Sequence, residues 1–267
     1  MIIVKVLAVI AGFYVLICVL LYFFQEKLIF MPERLPANFV FRFNEPFQEF
    51  PIRTNDGTVL SGLLFKANQS KGLIFYLHGN AGSLQDWGDV ARTYLDFHYD
   101  VFLLDYRGYG KSEGTITSES ELFEDVQVAY DRMKERYPEQ EIVVLGYSIG
   151  TGMATKVASA NHPGMLILQA PYYSLVDMMG QFYPFIPTVI LKYRFRNDLN
   201  IRNCAMPIVI FHGDQDNVID CSSSIRLKTL AKPTDTLILL RGQGHNGMTE
   251  NRAYLKEMER ILGAVES

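Results

Sequence analysis

The run Ile142-Val143-Val144-Leu145 passes directly into Gly146-Tyr147-Ser148-Ile149-Gly150, and this junction constrains the fold more than any other stretch of the chain. The apolar run reads as a buried strand. The segment after it, Thr151 through Ala158, is small and helix-compatible. A serine between two glycines at such a boundary suits a strained strand-to-helix turn, in which the serine backbone takes a sparsely populated conformation and its hydroxyl stands above the sheet. Neighbours two residues away would collide if they carried a Cβ, and glycine removes that collision. The helix that follows would present free backbone N–H groups and a positive dipole end to the serine.

Two further groups occupy comparable positions. Pro207-Ile208-Val209-Ile210-Phe211 is followed by His212-Gly213-Asp214-Gln215-Asp216-Asn217-Val218-Ile219, which places an acid on a loop at a strand's end. Thr236-Leu237-Ile238-Leu239-Leu240 is followed by Arg241-Gly242-Gln243-Gly244-His245-Asn246, a histidine on a loop after the last strand. The chain order is therefore Ser148, Asp216, His245. These three residue types, each at the end of an apolar run, are the candidate nucleophile, orienting acid and base of a catalytic triad.

At these residues the chain resembles the α/β-hydrolase superfamily, whose triad follows this chain order, and the likeness extends over roughly residues 47–262. His78-Gly79-Asn80-Ala81-Gly82-Ser83 is similar to the family's oxyanion loop after the third strand. Asp105-Tyr106-Arg107-Gly108-Tyr109-Gly110-Lys111-Ser112-Glu113-Gly114 is similar to its loop after the fourth. The acid loop resembles the pattern H-G-x-x-D-x-x-V-P, which selects Asp216 over Asp214, although Asp220 stands where the family often has proline. The resemblance implies an oxyanion site made by the backbone N–H groups of Ile149 and Asn80. Within the superfamily the chain looks most like single-pass, membrane-anchored hydrolase-domain proteins, a group that includes protein depalmitoylases and lipid-active members.

Charged residues make up 20% of the chain and the net charge is -4, which argues against nucleic acid as a partner, since that requires a basic face. The N-terminus departs from ordinary globular composition. Nineteen residues, 6–24, carry no charge; Lys5 precedes them and Gln25-Glu26-Lys27 follows. As a helix they span about 28 Å, close to the thickness of a bilayer core. A secretory signal peptide would have a shorter apolar region and a small-residue cleavage site, whereas this run ends Leu20-Leu21-Tyr22-Phe23-Phe24, aromatics suited to a membrane interface. The expected organisation is a membrane anchor over 1–27, a linker over 28–46 and one hydrolase domain over 47–267. Lys5 on one side and Lys27, Arg34 and Arg42 on the other leave the orientation open.

Asn55-Asp56-Gly57 between two strand-like runs signals a hairpin. Six apolar runs follow, at 72–77, 101–104, 142–145, 165–168, 208–211 and 236–240. Their continuous apolarity marks strands buried on both faces, and the helical stretches between them, such as 119–136 and 251–262, imply a mostly parallel sheet wrapped by helices: an α/β fold. Residues 171–206 break the alternation with Tyr172, Tyr173, Phe182, Tyr183, Phe185, Tyr193 and Phe195, and with Met178 and Met179. This is the position of the family's cap after the sixth strand, so the segment reads as a small lid lining an acyl pocket; the plainer alternative is a helical insertion whose aromatics pack on the body. Cys204 and Cys221 bracket a strand and are expected to be free thiols.

Other signals fail on context. Gly242-Gln243-Gly244-His245-Asn246-Gly247 matches a dinucleotide fingerprint, but too few residues follow to complete the unit. His98 and His162 have no partner at metal-ligand spacing, and His78 and His212 read as loop-shaping. The reading is a membrane-anchored serine hydrolase that cleaves a carboxylic ester or thioester, of lipid or acylated protein, with no cofactor and no metal. Two alternatives stay open: an oligopeptidase-like peptidase, and a catalytically silent hydrolase fold serving as a membrane interaction module.

Overall fold

Each of the six apolar runs forms a strand, and two shorter segments complete the sheet. The computed structural model describes residues 1–263. Numbered in chain order, the strands of the main sheet are β1 (Phe47–Glu49), β2 (Gly62–Phe65), β3 (Leu73–Leu77), β4 (Asp100–Leu104), β5 (Ile142–Tyr147), β6 (Met165–Gln169), β7 (Ile208–Gly213) and β8 (Thr236–Leu240). Their spatial order is β8-β7-β6-β5-β3-β4-β2-β1. β1 and β2 are antiparallel to their neighbours and the other pairings are parallel. The order reverses between β3 and β5, so the loops leaving those two strands diverge and open a crevice at their carboxyl ends, the usual ligand position in open α/β sheets.

Helices cover both faces. Glu119–Lys134 and Gly150–Ala160 pack with one core cluster, and Arg252–Gly263 with the other. The first of these starts where the side chain of Ser118 accepts a hydrogen bond from the Glu121 N–H, which satisfies one of the donors a helix start leaves open. Strands β2 to β5 are buried throughout, in keeping with their unbroken apolarity. β8 differs from the expectation. It lies at the edge of the sheet, pairs on one side only, and leaves Leu239 45% exposed. An apolar run reports composition, not the number of neighbours the sheet supplies.

The hairpin expected at Asn55-Asp56-Gly57 forms between Ile52–Arg53 and Val59–Leu60. The run after it then splits at Ser61, and Gly62 begins β2 in the main sheet. A Cβ on Gly62 would lie 2.7 Å from the Phe102 ring and 2.8 Å from the Phe50 carbonyl, so the close crossing there depends on glycine. Arg107 ties this hairpin to the body. Buried in the loop after β4, its guanidinium forms a bidentate pair with the buried Asp125 carboxylate and reaches Asp56 at 2.7 Å and Glu121 at 3.2 Å.

The N-terminal helix, Ile2–Ile29, extends past the uncharged run at both ends, and none of its most apolar window is buried against the body. By length and composition it can cross a membrane. The stretch after it, read as linker, lies on the domain. Phe30 is buried against Tyr193, Met31–Pro32 pairs in parallel with Ala81–Gly82, and Phe39, Phe41 and Phe43 stack toward Phe47 and Phe65. Cys18, Cys204 and Cys221 are free thiols.

Removing one partner of a buried ion pair leaves the other charge uncompensated. Arg107→Ala is therefore expected to lower the unfolding free energy by about 3–5 kcal/mol. Chemical denaturation of the detergent-solubilised protein checks this, and Arg132→Ala, on an exposed pair with Glu135, should change little.

Candidate active site

Ser148 sits where β5 turns into the helix Gly150–Ala160, and its φ is +52°, in the left-handed region that non-glycine residues rarely occupy. Strain of this kind costs about 1–3 kcal/mol and persists only where the surroundings over-determine the backbone. Here they do. A Cβ on Gly150 would lie 2.1 Å from the Leu77 carbonyl oxygen, and one on Gly146 would lie 2.6 Å from the Ala154 Cβ. The Ser148 N–H donates to the Gln169 carbonyl at 2.9 Å, and the Ser148 carbonyl accepts from the Thr151 hydroxyl at 2.6 Å. The strained residue is thus held from both sides.

Ser148, His245 and Asp216, read from three separate segments, are brought together. His245 Nε2 lies 3.0 Å from Ser148 Oγ, and His245 Nδ1 lies 2.7 Å from Asp216 Oδ2. With a carboxylate at Nδ1, the proton on that nitrogen is donated to Asp216, which leaves Nε2 to accept from the serine hydroxyl. The Asp216 carboxylate is buried, and its Oδ1 accepts the N–H groups of Val218 and Ile219, each at 2.8 Å. Burial pushes this carboxyl up, but hydrogen bonds from His212, His245 and the Ile219 N–H prevail and hold it below the usual carboxylate range. Asp214 is exposed and accepts from the Gly242 N–H, away from the imidazole. Asp220, standing where proline was expected, accepts from the Ser222 N–H at the start of the helix Ser222–Leu230.

Ile149 precedes the first turn of the helix behind Ser148, where backbone N–H groups lack intrahelical acceptors. Asn80 lies on the loop after β3. Its carbonyl accepts from the Tyr109 hydroxyl at 2.7 Å, and its side-chain oxygen accepts from the Met31 N–H at 3.2 Å. The loop is also fixed beneath. The buried His78 has its carbonyl bonded by Tyr106 and its ring within 3.5 Å of Asp105, so the loops after β3 and β4 brace each other. Burial raises the Asp105 carboxyl above its ordinary range, opposed by His78 and by the Leu84 N–H.

Three contacts escape the motifs. His212, read as loop-shaping, also places its Nε2 3.3 Å from Asp216, while that nitrogen donates to the Ile219 carbonyl at 2.8 Å and Nδ1 meets Ser224 Oγ at 2.6 Å. Tyr147 fills an open position of the glycine-serine motif, and its hydroxyl donates to the His245 carbonyl, which fixes the base's backbone. Met31, just past the N-terminal helix, reaches Asn80 across 49 positions of sequence. Among the described residues no three His, Cys, Asp or Glu side chains gather as a metal site.

A carboxylate, an imidazole and a hydroxyl in one hydrogen-bonded line, with the hydroxyl on a strained turn at a helix start, can carry out nucleophilic acyl chemistry. The sheet order with this loop arrangement defines an α/β-hydrolase. The model of the family described as serine aminopeptidase, S33, matches residues 68–202, half of the chain, and the chain belongs to that family. It is 26% identical over 245 residues to an uncharacterized protein of Mycobacterium tuberculosis, covering 89% of this chain and 87% of that one. It is 27% identical to human alpha/beta hydrolase domain-containing protein 17B over 241 residues, covering 87% of this chain and 81% of the human protein. Among solved structures, the Pyrococcus furiosus esterase Pf2001 superposes with a TM-score of 0.67 at 20% identity, over 88% of this chain and 96% of the esterase. The α/β-hydrolase GrgF from a Penicillium species superposes at 0.68 and 16% identity, over 82% of this chain and 98% of that one.

Two outcomes test the geometry. Gly150→Ala forces a methyl group against the Leu77 carbonyl and should destabilise the fold by about 1–3 kcal/mol, read by thermal unfolding. Asp216 has a depressed folded-state pKa, so its contribution to stability is full above the unfolded value of about 3.9 and is lost as pH falls through the lower folded value. The stability gap between the wild type and Asp216→Asn should therefore be wide near neutrality and narrow in acid.

Proposed function

We propose that the protein is a membrane-anchored serine hydrolase that cleaves carboxylic esters or thioesters through an acyl-enzyme. The line Asp216–His245–Ser148, with heavy-atom distances of 2.7 and 3.0 Å, carries this reading. Ser148 Oγ attacks the acyl carbon while His245 Nε2 takes its proton, and the developing oxyanion accepts hydrogen bonds from the backbone N–H groups of Ile149 and Asn80. The imidazolium, stabilised by Asp216, then protonates the leaving alcohol or thiol as the acyl bond to it breaks. A water, deprotonated by His245, attacks the acyl-serine, and collapse of the second tetrahedral intermediate returns the proton to Ser148 and frees the carboxylic acid. The relay is complete with these side chains and water.

The likeness to the Pyrococcus furiosus esterase supports esters. The aminopeptidase description of the matching family supports a second reading, hydrolysis of aminoacyl amides. A p-nitrophenyl acyl ester series set against aminoacyl p-nitroanilides separates the two. The apolar helix Ile2–Ile29 supports the anchor, and residues 171–206 serve as the lid. Aromatics of that segment divide: Tyr172, Tyr193 and Phe195 are buried in the body, and Phe182, Tyr183 and Phe185 are exposed.

Ser148→Ala is expected to lower turnover by about 10⁶ and to abolish fluorophosphonate labelling without loss of fold, because the three groups act as a unit. Retained labelling would overturn the assignment, and an inert wild type would favour the silent interaction module. Protonation of Asp216, whose carboxyl is held below the usual range, should not set the acid limb of the rate profile. Full-length protein should remain with membranes through high salt and alkaline carbonate, since hydrophobic transfer is not screened by salt.

A further inference from the structure

The loop that carries the exposed aromatics of the lid segment is hydrogen-bonded to the N-terminal helix. Residues 178–191 run without a charge. Within them the tip is apolar and bare: Phe182 is 60% exposed, Tyr183 64%, Phe185 86% and Val189 78%. Three hydrogen bonds fix this tip along the helix. The Tyr14 hydroxyl donates to the Phe185 carbonyl at 2.8 Å, the Gln25 side-chain amide donates to the Ile190 carbonyl at 3.1 Å, and the Gln25 side-chain oxygen accepts the Lys192 N–H at 2.8 Å. From Gln25 back to Tyr14, which lies inside the uncharged run, the helix rises about 17 Å, and the loop meets it at both levels, with a 3-10 turn at Thr188–Ile190. The loop therefore climbs along the apolar part of the helix.

Charge returns on both elements at one level. Lys192, the first charge after the loop, pairs with Glu26, the first charge after the helix's apolar run, at 2.8 Å. The same ammonium lies 4.9 Å from the Tyr22 ring centroid, an aromatic-cation pair suited to a membrane interface. Part of the loop's backbone is closed without water. Pro184 and Pro187 have no N–H, and the amides of Tyr183, Ile186, Ile190 and Leu191 are closed within turns.

We infer that residues 182–190 enter the acyl-chain region of the bilayer beside the N-terminal helix, so that the lid segment is a second membrane-inserted element whose partner is lipid. The lipid surface is favoured over a protein partner because the tip continues the bare apolar face of the helix, and both end at the shared Glu26–Lys192 pair. This rests on the anchor reading of the helix. It adds that the segment contacting the candidate nucleophile's turn, through the Tyr172 hydroxyl on the Ile149 carbonyl, is held at the membrane.

Depth-dependent quenching tests it. The full chain is reconstituted in phosphatidylcholine vesicles with or without bromine on the acyl chains, as Phe185→Trp, Val15→Trp on the helix and Leu239→Trp on the β8 edge, with the wild-type signal of Trp87 subtracted. Emission at positions 185 and 15 should fall several-fold in brominated vesicles and emission at 239 should not. Val189→Trp repeats the measurement should Phe185→Trp fold poorly. Quenching at 15 without quenching at 185 or 189 would overturn the inference and leave the anchor standing, and it is also the result a protein partner over the tip would give. No quenching at 15 would overturn the anchor reading and the inference with it.

Discussion

The approach of the helix Gly150–Ala160 to the end of β3 is the contact on which the rest of the arrangement depends. Gly150 lies where a single methyl group would overlap the Leu77 carbonyl oxygen, so β5 must turn sharply, and Ser148 absorbs the turn at φ +52°. Because β3 and β5 are parallel neighbours whose carboxyl ends lie side by side, this contact sets the serine beside the loop that carries Asn80. Both proposed oxyanion donors then belong to one rigid corner. The preorganisation such chemistry needs comes from backbone packing and not from side chains that would have to be ordered on binding.

Electrostatics around the candidate acid follow the same pattern. A carboxylate taken out of water is unfavourable unless its lone pairs are used, and Asp216 uses them on two backbone N–H groups and two imidazoles. His212 is held in turn by Ser224 and by the Ile219 carbonyl, which tie β7, its loop and the helix Ser222–Leu230 into one unit. The aspartate is a fixed negative charge at the end of a strand, well placed to orient His245 and to stabilise its cation.

The N-terminal stretch joins these parts to the apolar helix. Phe30 is buried against Tyr193, and one residue later Met31 donates to the Asn80 side chain. The helix therefore ends within a few residues of the proposed oxyanion loop, and on its other side it holds the insertion that follows β6. A segment read as linker thus carries contacts from the helix to both walls of the candidate site.

Much of this was legible in the chain. Continuous apolarity identified six strands, the glycine-serine motif identified the turn at Ser148, and strand-end positions gave His245 and an acid loop, because each signal is local: periodicity, a forbidden Cβ, a polar residue at a boundary. The choice of Asp216 over Asp214 came from the resemblance to the family's pattern. Three kinds of fact were not local. The exposure of β8 depends on which strand lies at the edge. The contacts of His212 with Asp216 and of Tyr147 with the His245 carbonyl depend on loops that meet only once the sheet is assembled. The aromatics of residues 171–206 look alike in sequence, yet Tyr193 and Phe195 fill the core and Phe185 stands bare beside Tyr14, separated from it by 171 residues. Sequence alone determined which residues can form strands, a strained turn and an apolar helix, since those follow from side-chain shape and hydropathy. Only the tertiary structure decided which of these surfaces face one another, because pairing across the chain is a property of the assembled sheet and its coverings.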